Sequence, residues 1–178
     1  KRVEQIFDAF GWDVVRVKYG TLQRKAFAEE GGNKLKDWID DCPNQLYSAL
    51  TYMGGAVWRE RLMDALGDQG DVTALLNARN DAELAALMEN LGGNCVETMA
   101  ETFVAIKHDG PVCFMAYTIK GWGTPIAGHK DNHGGLMNKT QMAAWQKHMG
   151  VAEGEEWEKF ATIENPEELQ KFLDKTPF

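Results

Sequence analysis

The sequence predicts a helix-rich α/β domain built around a parallel sheet. Two runs rich in β-branched and aromatic residues, 12–19 and 112–119, predict β-strands, and the long stretch between them has helical periodicity. Strands separated by several helices are typical of a parallel sheet with helical crossovers. The 178 residues, 44% hydrophobic and 26% charged, suit one globular domain with or without appendages.

The first half of the chain alternates apolar helical faces with glycine and proline breaks. Gly11 ends the first helix before the first strand, and Pro43 begins the longest helical stretch. Asp71 and Asp81 are predicted N-caps of two short helices, because aspartate side chains accept hydrogen bonds from free backbone N–H groups. Helices are predicted over residues 3–10, 22–30, 34–40, 43–66, 72–78 and 82–90.

The second half begins with a glycine break at residues 91–93, after which Asn94 is the predicted cap of an amphipathic helix. Residues 112–119 are nearly all apolar, which predicts a strand buried on both faces. An irregular loop then covers residues 120–137, followed by a helix over 139–149. We expect residues 1–150 to form the α/β domain and residues 151–178 an acidic tail or linker, with a short helix that begins at Asn165-Pro166.

The charge of the chain argues against partners that are polyanions. The net charge is −8, and residues 151–178 alone carry eight acidic and three basic side chains. Binding to nucleic acid or to an anionic membrane is therefore not expected. Three cysteines without Cys-x-x-Cys spacing favour a reduced, cytoplasmic location, and no apolar run approaches the ~20 residues of a membrane-spanning helix.

The loop after the second strand contains the residue types that bind anions and move protons. Ligands of open α/β sheets bind beyond the carboxyl ends of the strands, where this loop begins. Lys120, His129 and His133 are candidate catalytic residues, because lysine binds anions and imidazole transfers protons near neutral pH. Gly121 and Gly123 permit close approach of the backbone to a ligand.

Other interpretations of the same loop stay open. His129, Asp131 and His133 have a spacing that allows a metal-dependent hydrolase site if the loop is helical there. A solvated loop in a non-catalytic α/β interaction module, which would use the acidic tail or an exposed sheet edge, is a further alternative.

Several motifs resemble those of a known enzyme family. The loop resembles that of transketolase-superfamily thiamine-diphosphate enzymes in two places. These are Thr-Ile-Lys-Gly-Trp-Gly at residues 118–123 and, further along, Ala-Gly-His at 127–129 with His-Gly at 133–134. The form of residues 118–123 is most similar to that of the homodimeric-type pyruvate dehydrogenase decarboxylating component. Residues 10–20 and 91–93 are similar to two further motifs of that component, although Asn94 and Cys95 stand where the family has His-Asp.

The resemblance implies roles for the loop residues. His133 corresponds to the family's histidine that lies near the cofactor and assists acyl transfer, and His129 would be a second donor to phosphate or substrate. Lys120 would face a substrate carboxylate or a phosphate. Gly121 and Gly123, together with His133, would contact thiamine diphosphate, while the magnesium ligands are expected outside this chain.

The resemblance also implies a whole enzyme larger than this chain. Residues 1–150 would be the second half of its first, diphosphate-binding domain, of Rossmann-like architecture. The parent enzyme would be a homodimer that decarboxylates pyruvate and passes the acyl group to a lipoyl-bearing acyltransferase. Transketolase-type transfer of two carbons between sugar phosphates is the alternative within the family, and the fragment alone is expected to be inactive.

Overall fold

The computed structural model describes residues 2–176, so residue 1 and the last two residues of the predicted tail, 177–178, lie outside the described part. Two parallel strands are present in that part, β1 Asp13–Val17 and β2 Val112–Ala116, and a 3-10 turn covers Gly92–Asn94. The α-helices are α1 Arg2–Ala9, α2 Thr21–Phe27, α3 Gly32–Asp41, α4 Asn44–Met53, α5 Gly55–Leu66, α6 Gly70–Asn77, α7 Asp81–Glu89, α8 Val96–Val104, α9 Lys139–His148 and α10 Pro166–Lys175.

The two strands form a small parallel sheet, which confirms the helix-rich α/β prediction at that level. The register pairs Asp13 with Val112 at one end and Val17 with Ala116 at the other. The chain between the strands contains helices α2–α8, as a parallel connection requires a long crossover. The carboxyl ends of both strands therefore lie at the same edge of the sheet.

The prediction that the second strand is buried on both faces is wrong for β2. Its first four side chains are half-buried and Ala116 is exposed. In a two-stranded sheet each strand has a single hydrogen-bonded neighbour, and no strand within residues 2–176 covers either outer edge. Both strands are also shorter than predicted, because the chain leaves the ladder after Val17 and Ala116.

The hydrophobic core lies among helices α2–α7 and not against the sheet. Trp58 of α5 is fully buried, with the rings of Tyr47 and Trp38 edge-on at centroid distances of 4.9 and 6.0 Å. Leu35, Leu62 and further aliphatic side chains complete this cluster. Because aromatic and aliphatic burial supplies most of the stabilisation of a domain, this helical region is the rigid part on which the site is built.

The helix predicted over residues 43–66 is two helices, α4 and α5. Gly54 separates them with φ +89°, a conformation that glycine adopts without steric cost. The helix that follows starts in close contact with another element, since a Cβ on Gly55 would lie 1.8 Å from the carbonyl oxygen of Asp81. The break therefore allows α5 to pack tightly on the start of α7.

A single arginine ties α5 to the end of α6. The Arg59 guanidinium donates to the carbonyl oxygens of Leu76 at 2.9 Å and Arg79 at 2.6 Å, and it pairs with Asp81 at 2.6 Å. Carbonyls in the last turn of a helix lack an α-helical partner, and the planar guanidinium satisfies that of Leu76 in α6 together with that of Arg79, two residues beyond the helix. Asp81 is thus not the N-cap of α7; Asn80 caps it in a reciprocal pair with Glu83.

A second polar cluster lies around Asp40 at the end of α3. Its carboxylate accepts from Lys18, Tyr19 and Lys36, the last at 2.7 Å. Partial burial opposes ionisation of Asp40, but the two lysines and the tyrosine outweigh it and lower its pKa to about 2. The cluster connects α3 to the residues that directly follow β1.

The chain divides between Gly134 and Gly135 into two compact units. In the second unit α9 begins with a capping box between Asn138 and Gln141, and α10 begins at Pro166 after Asn165, as the sequence predicted. The assignment of residues 1–150 to half of a diphosphate-binding domain stays a prediction. Among the helices of residues 2–176, none has the length and apolar character that crossing a membrane requires.

Candidate functional site

The 3-10 turn Gly92–Asn94 lies across the carboxyl ends of both strands. The Gly92 N–H donates to the carbonyl of Lys18 at 2.8 Å, and the Gly93 N–H donates to that of Tyr117 at 2.9 Å. A Cβ on Gly92 would lie 2.5 Å from the carbonyl oxygen of Val17, and one on Gly93 2.8 Å from that of Tyr117. The two glycines are therefore required for the turn to approach the strand ends this closely.

Asn94 fixes the point at which the loop leaves β2. Its side-chain oxygen accepts from the Ile119 N–H at 2.9 Å, and Ile119 is buried. The prediction that Asn94 caps α8 is wrong, because Cys95 occupies the N-cap position. Asn94, which stands where the resembled enzyme family has a histidine, is thus a structural anchor for the loop.

Cys95 has the most unusual thiol of the described residues. Its Sγ lies 3.5 Å from both the backbone N and the Oγ1 of Thr21, next to the first turn of α8. Burial opposes its ionisation, but hydrogen bonds from Thr21 and Thr98 outweigh burial and lower the pKa of the thiol to about 6. In contrast, burial raises the pKa of Cys42.

The loop that follows β2 is a series of tight turns held together by the side-chain amide of Asn132. The Asn132 side-chain N–H₂ donates to the carbonyl of Lys120 at 2.7 Å and to that of Ile126 at 3.1 Å. Gly121 has φ +74° and Gly123 has φ +81°, which explains glycine at both positions. Sequence reasoning missed Asn132; its place in a glycine-rich loop is the only signal that pointed to it.

The middle of the loop packs on helix α4. Gly128 is buried with φ +73°, and a Cβ there would lie 2.3 Å from the Ser48 carbonyl oxygen. The next residue, His129, places its imidazole against the Tyr52 ring at a centroid distance of 4.5 Å and an interplanar angle of 66°. His129 is thus held by α4 and is half-buried.

Lys120 and His133 are brought together although they are separated by 12 residues in the sequence. The Lys120 ammonium donates to Nδ1 of His133. Because an ammonium group only donates, Nδ1 is the accepting nitrogen and the ring proton lies on Nε2. The pair therefore offers an exposed cation beside an imidazole N–H, which suits binding of an anion and transfer of a proton.

The structure does not assemble the metal site of the hydrolase alternative. His129 Nδ1 accepts from the backbone N–H of Asp131 at 3.2 Å, and the Asp131 carboxylate pairs with Lys130 at 2.6 Å, which lowers its pKa. Within residues 2–176, no group of three or more histidine, cysteine or acidic side chains has the placement of a metal centre. The alternative of a non-catalytic interaction module stays a prediction, since contacts of the loop histidines within the chain do not test for a partner protein.

The sequence-predicted site residues therefore form two sets. Lys120 and His133 contact each other, whereas His129 contacts Tyr52 and belongs to the surface facing α4. The donors of Lys120 and His133 fit an anionic group such as the diphosphate of thiamine diphosphate. The described residues do not fit the magnesium ion that accompanies it, since they present no ligand cluster for a metal.

Comparison with known proteins gives a distant and partial relationship. No family model matches the chain. Over 132 residues, 74% of its length, the chain is 26% identical to the "Pyruvate dehydrogenase E1 component" of Haemophilus influenzae. The match covers 14% of that protein, so this chain is similar to a small segment of a much longer relative. The similarity links the chain at the family level to pyruvate dehydrogenase E1 components, the kind of enzyme that the loop motifs predict.

Proposed function

We propose that this chain is a segment of a thiamine-diphosphate-dependent enzyme that decarboxylates a 2-oxo acid, with pyruvate as the first candidate. The observation that carries the proposal is the Lys120–His133 pair, which lies in the loop that leaves the carboxyl end of a parallel strand. The 26% identity to a pyruvate dehydrogenase E1 component supports the same reaction class.

In the proposed enzyme, Lys120 binds the substrate carboxylate or a phosphate oxygen through its ammonium group. His133 keeps a proton on Nε2 that it donates to a developing oxyanion and later recovers. When bound, thiamine diphosphate supplies an electron sink for the carbon that loses carbon dioxide. Gly121 and Gly123 leave the loop backbone free of side chains on the approach to the ligand.

We propose further that the catalytic unit includes polypeptide beyond these residues. The magnesium ligands and the group that activates the cofactor would come from that polypeptide, and the acyl acceptor would be a lipoyl group on a partner protein. Assembly as a homodimer is part of the same proposal. The isolated 178-residue chain is then expected to be inactive.

Substitution of His133 in the full-length gene product that contains this segment tests the assignment. We expect His133→Ala to lower acetyl transfer from pyruvate to a lipoyl domain by about 10²-fold or more, as loss of a general acid–base group does. His148→Ala, which removes a histidine at the end of α9, is the matched control and should leave the rate unchanged.

Two further assays decide between the alternatives. Turnover of a ketose phosphate with an aldose acceptor, and not of pyruvate, would assign the transketolase-type reaction. Decarboxylation of pyruvate by the isolated chain with added thiamine diphosphate and magnesium would contradict the proposal that further polypeptide completes the site.

A further inference from the structure

A cleft of about 630 Å³ separates helix α4 from the loop that follows β2. It lies beside the Lys120–His133 pair, because Lys120 lines it and His133 does not. The α4 wall presents Ala49, Tyr52 and Met53, and the loop wall presents Lys120, His129 and Lys130. This volume is in the range of pockets that hold small organic molecules.

The charge of the cleft is opposite to that of the chain. Two lysines line it and no acidic side chain does, whereas the whole chain has a net charge of −8. Lys120 donates to His133 and Lys130 pairs with Asp131, and each ammonium group has three N–H donors, so both keep donors for a ligand. An anion is therefore the species that this wall attracts.

The opposite wall combines the apolar and aromatic residues Ala49, Tyr52 and Met53 with the polar residues Asn44, Gln45 and Ser48. The Tyr52 and Met53 side chains are 46% and 59% exposed, although both residues belong to a helix that packs on the core. Exposed aromatic and methionine side chains at the side of a pocket provide a contact surface for an apolar ligand body. One wall thus suits a charged head group and the other suits a ring or an aliphatic chain.

The cleft is held in shape by contacts on both sides. Gly128 packs directly on the Ser48 carbonyl, His129 packs on Tyr52, and Asn132 binds two carbonyls of the loop. A site whose backbone is already held in place loses less conformational entropy when a ligand binds, so even a small ligand can bind measurably.

We propose that this cleft binds an organic anion, a phosphate or carboxylate joined to an aromatic or aliphatic body. The head group lies on the Lys120 and Lys130 ammonium groups, and the body lies on Tyr52 and Met53. This proposal goes beyond the decarboxylation function, because it needs neither thiamine diphosphate nor further polypeptide.

Titration of the 178-residue chain without thiamine diphosphate tests the cleft. The probes are phenyl phosphate and phenylacetate. Inorganic phosphate represents the head group alone, and benzyl alcohol represents the aromatic body alone. We expect one of the two aromatic anions to bind at least about tenfold more tightly than either isolated part, with backbone amide NMR shifts at Ser48 and Gly128. Whichever anion binds more tightly identifies the head group.

Substitutions locate the ligand within the cleft. Lys130→Gln should weaken binding of the tighter anion about three- to fivefold, the effect of one exposed charge contact. Lys107→Gln makes the same charge change at a lysine that does not line the cleft, and it should have no comparable effect. Tyr52→Ser should weaken the aromatic anions but leave inorganic phosphate unaffected.

Three results would overturn the proposal. They are the absence of shifts at Ser48 and Gly128, equal weakening by Lys130→Gln and Lys107→Gln, and binding of benzyl alcohol as tightly as the anions. Each of them leaves the decarboxylation assays on His133 unaffected, so the failure of one proposal is distinguishable from the failure of the other.

Discussion

The contact of Gly128 with helix α4 predicts a large effect for a single added methyl group. In Gly128→Ala the new Cβ would lie 2.3 Å from the Ser48 carbonyl oxygen and 3.2 Å from the Thr51 Cβ. The residue also has φ +73°, where an L-amino acid is strained. Because the oxygen belongs to the backbone of a helix, no side-chain rotation relieves the clash.

The matched control is Gly123→Ala in the same loop. Gly123 has φ +81°, but a Cβ there meets no atom within 4 Å. Both substitutions therefore incur the cost of left-handed backbone, about 1 kcal/mol, while only Gly128→Ala adds an overpacking cost of about 1–3 kcal/mol. The difference between the two variants measures the contact between loop and helix.

The expected consequence is release of the loop from α4. We expect Gly128→Ala to move the His129 imidazole away from Tyr52, which removes the ring-current shift of the His129 ring protons in NMR spectra. Amide hydrogen exchange of the Gly128 N–H, which donates to the Lys120 carbonyl, should accelerate at the same time. Gly123→Ala should retain the His129 shift.

The reasoning is refuted if the two variants behave alike. Equal stability in urea unfolding, together with an unchanged His129 shift in Gly128→Ala, would show that the loop does not pack on Ser48 as described. A loss of the shift in both variants would show that backbone strain, and not contact with α4, controls the loop.

Three further predictions concern the scaffold. Asp40→Asn should lower the free energy of unfolding by about 1 kcal/mol at pH 6; since the pKa of Asp40 is lowered to about 2, the difference from wild type should disappear as the pH falls through that value in urea titrations. Arg59→Lys should cost about 1–2 kcal/mol in the same assay, because the three guanidinium nitrogens of Arg59 each reach a different acceptor, on Asp81, Leu76 and Arg79, whereas the single nitrogen of lysine lacks this planar spread. Ultraviolet titration should show the Cys95 thiol ionising as the pH rises through about 6, while Cys42 stays protonated there; a common midpoint for both would contradict the contacts of Cys95.

Local sequence signals predicted the elements that depend on local physics. Apolar periodicity predicted most helices to within a few residues, and Pro166 after Asn165 predicted the start of α10. The β-branched runs predicted both strands, and the long segment between them predicted that the pairing is parallel. These features depend on residues that are neighbours in the sequence.

Features that depend on distant neighbours were not predictable in the same way. The burial of β2 was overestimated, because an apolar run does not reveal how many strands lie beside it. The predictions that Asp81 and Asn94 are N-caps were wrong, because the choice of cap depends on where each helix starts in three dimensions. Asn132 was missed because its two partners are carbonyl groups, which every residue possesses.

The sequence by itself determined the α/β class, the loop at the carboxyl end of β2 and the residue types of the candidate site. Only the tertiary structure decided that Lys120 and His133 form a pair while His129 belongs to the wall facing α4. The physical reason is that composition and periodicity fix which chemistry a segment carries. Turns at positive φ, such as Gly128, together with packing on a helix distant in sequence, fix which of those groups meet.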